Sequence, residues 1–368
     1  MLKNEPLLEI DESTRKRNLA SLERNCGQQL LDLLRDPRTI EIMLNPDGQL
    51  WHERLGEPMK VVGQMPRHKA EAMFRSVAAC LNKVVTWDSP QLDGEFPLDG
   101  SRFSGALPPI VSAPTFALRK RASSVFTLDQ YVTAGTMTQN QCDILKAAVA
   151  DHKNILVAGG TSSGKTTLTN ALIAQIAEAC PEERLIIIED TGEIQCTARN
   201  VVFFHTSATV SMTLLLKQSL RLRPNRIFVG EVRDHAALDL LDAWNTGHEG
   251  GIATVHANSA ALALSRLRGL IMRNEFAPRD VEDVISEAVH HVVYIEKYQD
   301  KRRVKEIIAV KGYTDSGYIL GSDLINCKNQ ESWLVVLRED AMSQLFYLSA
   351  EQLERIKPFF PRSHGIPQ

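Results

Sequence analysis

The chain has 368 residues, 43% hydrophobic and 24% charged, the balance of an ordinary globular protein with room for two domains. Its 42 Lys and Arg against 45 Asp and Glu leave a formal charge of -3, which excludes the basic footprint of a dedicated nucleic-acid binder, so no specific nucleic acid is expected as a partner. Six scattered cysteines (Cys26, Cys80, Cys142, Cys180, Cys196, Cys327) form no CxxC pair, which argues against a zinc ribbon or a disulfide-stapled secreted domain and for a reducing cytosol.

The opening MLKNEPLLEIDESTRKR lacks the basic-then-apolar order of a signal peptide, and no apolar run approaches the roughly 18 residues that span a bilayer. Any membrane association is therefore expected to be peripheral. Leu19, Leu22, Leu30, Leu33 and Leu34 fall at mostly helical spacings, and the pattern stops at Asp36-Pro37. IEIMLNPDGQLWHERLG then alternates about an NPDG turn and reads as a hairpin. RHKAEAMFRSVAACLNKVV (67–85) looks helical, and 90–121 is rich in Pro and Gly with strand-like pieces FSGAL and TFALRK. Residues 1–125 are thus expected to form a smaller mixed α+β N-terminal domain, with 126–138 as a linker.

From there the texture changes. A helix near 139–150 precedes ILVAGG, a helix, LIIIE, a helix, RIFVGE, a helix and GIATVH. Apolar strands alternating with helices indicate βα units around a mostly parallel sheet, so 139–325 is expected to be an α/β domain closed by a strand meander at about 290–322.

GGTSSGKT (159–166) has the spacing G-x-x-x-x-G-K-[ST], between an apolar strand and a helix with Leu168, Leu172 and Ile176 on one side. Such a turn converges backbone N–H groups on phosphate oxygens at the positive end of a helix dipole. Gly159, Gly160, Thr161, Ser162, Ser163, Gly164, Lys165, Thr166 and Thr167 are the expected phosphate-binding residues. Lys165 would bridge the β- and γ-phosphates, and Thr166 would place its hydroxyl on Mg²⁺. RIFVGE delivers Glu231 to the C-terminal edge of the sheet, where a carboxylate can hold Mg²⁺ through water or orient the attacking water. IIIEDTGE delivers Glu189 and Asp190, only one of which can face the nucleotide, because neighbours on an extended chain point apart. In TGHEGGIATVHANS, His256 at a strand end is better placed than His248 to sense phosphate.

In this order the four segments resemble the secretion-superfamily ATPases of type IV secretion, type II secretion and pilus machines. GGTSSGKT matches their Walker A, IIIEDTGE their aspartate box, RPNRIFVGEVRD their Walker B and TGHEGGIATVHANS their histidine box. The likeness covers roughly 20–325 and is nearest to conjugal-transfer traffic ATPases of the TrbB type, because IEIMLNPDGQLWHERLG also matches that branch. The resemblance implies a RecA-like P-loop ATPase domain that hydrolyses ATP with Mg²⁺, in a cytoplasmic homo-hexamer peripheral to the inner membrane and its channel components. It also implies Glu231 as the Walker B glutamate, Glu189 as the catalytic carboxylate of the aspartate box, and arginines brought to the γ-phosphate from the N-terminal domain. Arg102 in DGSRFSG and Arg119 in TFALRK match those arginines, with Arg121 the alternative register to Arg119.

The absence of a tetracysteine module favours the type IV branch over many type II secretion ATPases. The end of the chain, part of a C-terminal extension (326–368), departs from the family: from Met342, MSQLFYLSAEQLERIKPFFPRSHGIPQ resembles the first residues of insertion-sequence transposases and is expected to be an acquired extension. The competing readings are a RecA-like nucleic-acid motor, a type II secretion or pilus ATPase, a P-loop kinase and a non-catalytic assembly protein.

Overall fold

The computed structural model describes residues 12–121, 125–207, 209–299, 301–322 and 335–336. The transposase-like segment from Met342 lies outside the described residues.

The first part of the chain runs α1 (Glu12–Arg35), β1 (Thr39–Leu44), β2 (Gln49–Arg54), β3 (Lys60–Gln64), α2 (Arg67–Cys80), β4 (Gln91–Glu95), β5 (Arg102–Ala106) and β6 (Thr115–Arg119). Its strands form an antiparallel six-stranded sheet of order β3-β2-β1-β6-β5-β4. The NPDG turn joins β1 and β2, and FSGAL and TFALRK supply β5 and β6. Both helices pack on this sheet through Leu22, Leu30, Phe74, Phe103 and Phe116, with Phe74 and Phe103 edge to face at 5.2 Å. Two helices differ from their sequence patterns. Gly27 interrupts α1 at φ 71°, and α2 stops at Cys80 before Asn82 takes φ 53°.

The second part comprises α3 (Leu128–Thr133), α4 (Gln139–Ala150), β7 (Ile155–Gly159), α5 (Lys165–Ala179), β8 (Leu185–Glu189), β9 (Val201–His205), α6 (Met212–Ser219), β10 (Arg226–Val229), α7 (Ala236–Asn245), β11 (Ile252–His256), α8 (Ala260–Ile271), α9 (Val281–Ala288), β12 (His291–Tyr298), β13 (Lys301–Thr314), β14 (Gly317–Ser322) and β15 (Val335–Val336). Thr127 and Thr138 start α3 and α4 with capping boxes closed by Gln130 and Gln141. α3 falls inside 126–138, and its Leu128 and Tyr131 join the core beneath α5.

These strands form a nine-stranded sheet of order β15-β14-β13-β12-β7-β11-β10-β8-β9, parallel from β12 to β9 and antiparallel through the meander β12-β13-β14. Alternation along each buried strand feeds two cores, one on each face of the sheet. Ile186, Ile188, Ile227 and Val255 pack with α7, α8 and α9, whereas Leu185, Ile187, Val157 and Ile252 pack with α4 and α5. The run after LIIIE does not go straight into a helix. Val201–His205 first adds β9 along β8 as a partly exposed edge strand, although VVFFH is itself a run of four apolar residues.

Candidate active site

The GGTSSGKT turn leaves β7 at Gly159 and enters α5 at Lys165. Two of its glycines, Gly159 and Gly164, are sterically required. A Cβ on Gly159 would lie 2.4 Å from Ile295 O and Ser163 Oγ, and Gly164 sits at φ 101°. Ser162 also has positive φ, 56°, so successive N–H groups of the turn curl toward one point at the helix N-terminus. Thr161, Ser162, Lys165, Thr166 and Thr167 line the cleft above it, while Ser163 is buried with its Oγ unpartnered among the described residues. Lys165 is 8% exposed, and its Nζ donates to the carbonyls of Gly160 at 2.9 Å and Gly159 at 3.1 Å. Burial lowers its ammonium to about 8, against the raising effect of Glu231 and with the help of Arg119.

Strand order brings the remaining groups together. β11 lies between β7 and β10, so His256 at its end falls between Lys165, which follows β7, and Glu231, which follows β10. His256 Nε2 is 3.2 Å from Glu231 Oε1, and both ring nitrogens are 3.4 Å from Lys165 Nζ. Burial and then the Lys165 charge depress the imidazole. Arg233 joins Glu231 at 2.7 Å to Asp190 at 3.1 Å, and Asp190 also accepts from the Thr206 hydroxyl at 2.8 Å. Burial raises the Glu231 carboxyl, but the hydrogen bond and charge of Arg233, with His256 and Lys165, hold it below its ordinary value. His248 lies away from this group, with Nδ1 3.3 Å from Ala243 O.

The two glutamates of IIIEDTGE do different things. Glu189 is 3% exposed, and its Oε2 accepts from the N–H groups of Glu193 and Ile194, each at 3.0 Å. Its other oxygen has no hydrogen bond among the described residues and lies 3.6 Å from His205 Nε2. Those bonds fold the loop so that Glu193 comes forward, 3.5 Å from the Thr166 hydroxyl and 3.1 Å from Arg102 on β5. Gly192 in the same loop leaves room for the pair Arg121–Glu95, whose tips a Cβ there would meet at 2.4 and 2.7 Å.

The first sheet closes the cleft. Arg102 and Arg119 line a cavity of about 230 Å³ with Lys165, Glu189, Glu193, Glu231 and His256. They also line an adjoining one of about 340 Å³ that continues past Thr167 to Phe126 and Tyr131. Arg121 lines only the second and pairs with Glu95, so Arg119 is the arginine of TFALRKR that shares a cavity with Lys165.

A convergent turn, a buried lysine, two carboxylates and arginines from a second sheet line one cleft with the donors that phosphate oxygens need, and known proteins share its fold. Residues 100–309 match the family model described as type II/IV secretion system protein. The chain is 49% identical over 302 residues to the conjugal transfer protein TrbB of Rhizobium radiobacter, spanning 82% of this chain and 93% of that one. The chain belongs to the type II/IV secretion system protein family. It is also 46% identical to a probable TrbB of Sinorhizobium fredii (strain NBRC 101917 / NGR234), over 86% of this chain and 96% of that one. The X-ray structure of the Legionella pneumophila ATPase DotB shares the fold, with a TM-score of 0.54 at 17% identity over 83% of each chain.

Within this secretion-family fold, the structure adds two residues that sequence reasoning passed over. Glu193 ends the aspartate box, where its separation from a strand end hid it. Arg233 lies beside Glu231 in GEVRD, and only the packing of Asp190 shows that it bridges two strand ends.

Proposed function

We propose that this chain hydrolyses ATP to power a conjugative type IV secretion system. The observation that carries the reading is the place of Glu193, between the Thr166 hydroxyl at the Walker A helix and Arg102 on the opposite sheet. Lys165 and the turn amides would bind the phosphates, and Arg102 and Arg119 would offset charge on the transferring phosphoryl group. Glu193 takes the role that the family resemblance gave to Glu189, orienting the attacking water. Glu189 acts through it, because its carboxyl is committed to the loop backbone.

The donors suit Mg²⁺. Thr166, Glu193 and Glu231 present hard oxygens, and among the described residues no group of three or more His, Cys, Asp or Glu could hold a metal. A site of this kind takes magnesium together with the phosphates, as nucleotide-dependent enzymes do. Bound there, the ion would neutralise charge on the β- and γ-phosphates, with Thr166 and, through water, Glu231 as protein contacts.

Relatedness to conjugal transfer proteins favours the conjugative branch over type II secretion or pilus motors. We assign the working form as a homo-hexamer at the cytoplasmic side of the inner membrane, contacting channel components there. In support of peripheral attachment, no helix among the described residues is long and apolar enough to cross a membrane. The test is phosphate release and particle mass measured on one preparation with MgATP. A ring that turns over ATP is expected, and a Glu193→Gln chain hydrolysing at the wild-type rate overturns the assignment.

A further inference from the structure

β13 opens with the basic run Lys301-Arg302-Arg303, with Lys305 two positions on. Alternation along the strand sends neighbouring side chains to opposite faces of the sheet. Arg303 and Lys305 share one face, and both are engaged by Glu296 on β12, at 2.7 and 3.4 Å. Arg303 also lies over the Tyr298 ring, 4.1 Å from its centroid. Arg302 belongs to the other face with Val304, which packs into the core beneath α5.

On that face the stem of Arg302 crosses the Walker A turn. A Cβ built on Gly164 would lie 3.1 Å from Arg302 Cδ and 3.7 Å from its Nε. Arg302 lines the larger cavity, which also takes in Thr166, Thr167, Phe126 and Tyr131, and it does not line the smaller one that holds Glu231 and His256. Among the described residues no carboxylate pairs with it, although Arg102 and Arg121 on the same cavity have Glu193 and Glu95. A half-buried guanidinium offers several N–H donors in a fixed fork that matches the oxygens of a carboxylate or a phosphate, and the cavity it lines runs on from the glycine-rich turn.

Resting on the reading of this cleft as a nucleotide site, we propose that Arg302 is a further nucleotide-binding residue, its guanidinium contacting the α- and β-phosphates from the nucleoside end. Arg102 and Arg119 come from the first sheet, whereas Arg302 comes from the same sheet as the Walker A turn. Its grip therefore does not depend on how the two sheets approach each other. It acts on ADP as well as ATP.

The experiment is calorimetric titration of ADP into the full chain and into Arg302→Ala, Arg302→Lys and Arg303→Ala. Loss of a charge-assisted phosphate contact weakens ADP binding about tenfold or more in Arg302→Ala. Arg302→Lys recovers part of it, and Arg303→Ala binds as the wild type does. In turnover assays the Arg302→Ala defect is larger in KM than in kcat. Should the alanine variant fold poorly, Arg302→Gln keeps the stem against Gly164, and the same loss is expected. Unchanged ADP affinity in Arg302→Ala or Arg302→Gln overturns the role of Arg302, as does an equal loss in Arg303→Ala. A wild-type chain that takes up no ADP instead overturns the nucleotide reading itself.

Discussion

Arg102 and Glu193 face each other across the cleft at 3.1 Å, one from the antiparallel sheet and one from the loop after β8. Both side chains are partly exposed, so as an ion pair they contribute about 0–1 kcal/mol to stability. The pair matters for placement, because it sets an arginine of the first sheet beside the N-terminus of α5.

Arg102→Ala and Arg119→Ala should therefore lower turnover far more than melting temperature. An arginine that stabilises a transferring phosphoryl group contributes about 10³-fold or more in rate. Rates and melts taken on the same preparations separate this from a surface role. Unchanged rates would return both residues to the solvated background.

Glu193→Gln should retain ATP binding and slow hydrolysis by roughly 10²-fold or more, the scale of a positioned acid-base group. Glu189→Gln should slow it less, since an amide oxygen can still accept from the N–H groups of Glu193 and Ile194. Single-turnover phosphate release on both variants decides the matter. A larger defect at Glu189 would restore that residue as the reacting carboxylate.

Lys165→Ala should abolish turnover, and Thr166→Ala should weaken its Mg²⁺ dependence. Removing the ammonium leaves charge on the β- and γ-phosphates uncompensated. The lysine is buried, and among the described residues its bonds go to loop carbonyls and a histidine, so its loss should spare the fold. Circular dichroism alongside the ATPase assay checks both halves.

How much of this was legible in the sequence follows from where each signal resides. Parallel strands buried on both faces are continuous apolar runs, so ILVAG and LIIIE stood out, and the Walker A turn is a local spacing with a steric cause. β3 is missed because its residues are largely exposed and show no alternation, whereas the apolar run of β9, VVFFH, is legible but short and lies between two polar stretches. Glu193 and Arg302 were missed for another reason. Which carboxylate of EDTGE comes forward to Thr166 depends on backbone N–H groups closing on Glu189, and the direction of Arg302 depends on the register of β12 with β13.

A buried ion pair far from the cleft supports the sheet. Arg226 is fully buried at the start of β10, bonded to Glu183 at 2.5 Å and to the carbonyls of Val149 and Gly250. Arg226→Ala removes the donor to the Val149 and Gly250 carbonyls and one of the two partners of Glu183, which keeps His152 Nε2 at 2.7 Å, at a cost of about 1–3 kcal/mol. Chemical denaturation should show the loss, while nucleotide affinity of the folded fraction stays at the wild-type level. A cost within the scatter of surface substitutions would mean that water replaces the guanidinium.

The last expectation concerns pH. Burial raises the Glu189 carboxyl from its ordinary 4.5 to about 7, although the N–H groups of Ile194 and Glu193 pull the other way. Between those values the folded chain holds a proton that the unfolded chain has released. Native proton binding then exceeds unfolded binding, so stability falls as pH rises through the window. The full effect is on the order of 3 kcal/mol, reached above pH 7 and absent below the ordinary carboxylate range. Glu189→Gln copies the protonated form. Its melting temperature should exceed that of the wild type at pH 8, and the gap should close toward pH 5. If the variant is instead the less stable one at pH 8, the charged carboxylate is the form that the loop prefers, and its two backbone N–H bonds outweigh burial.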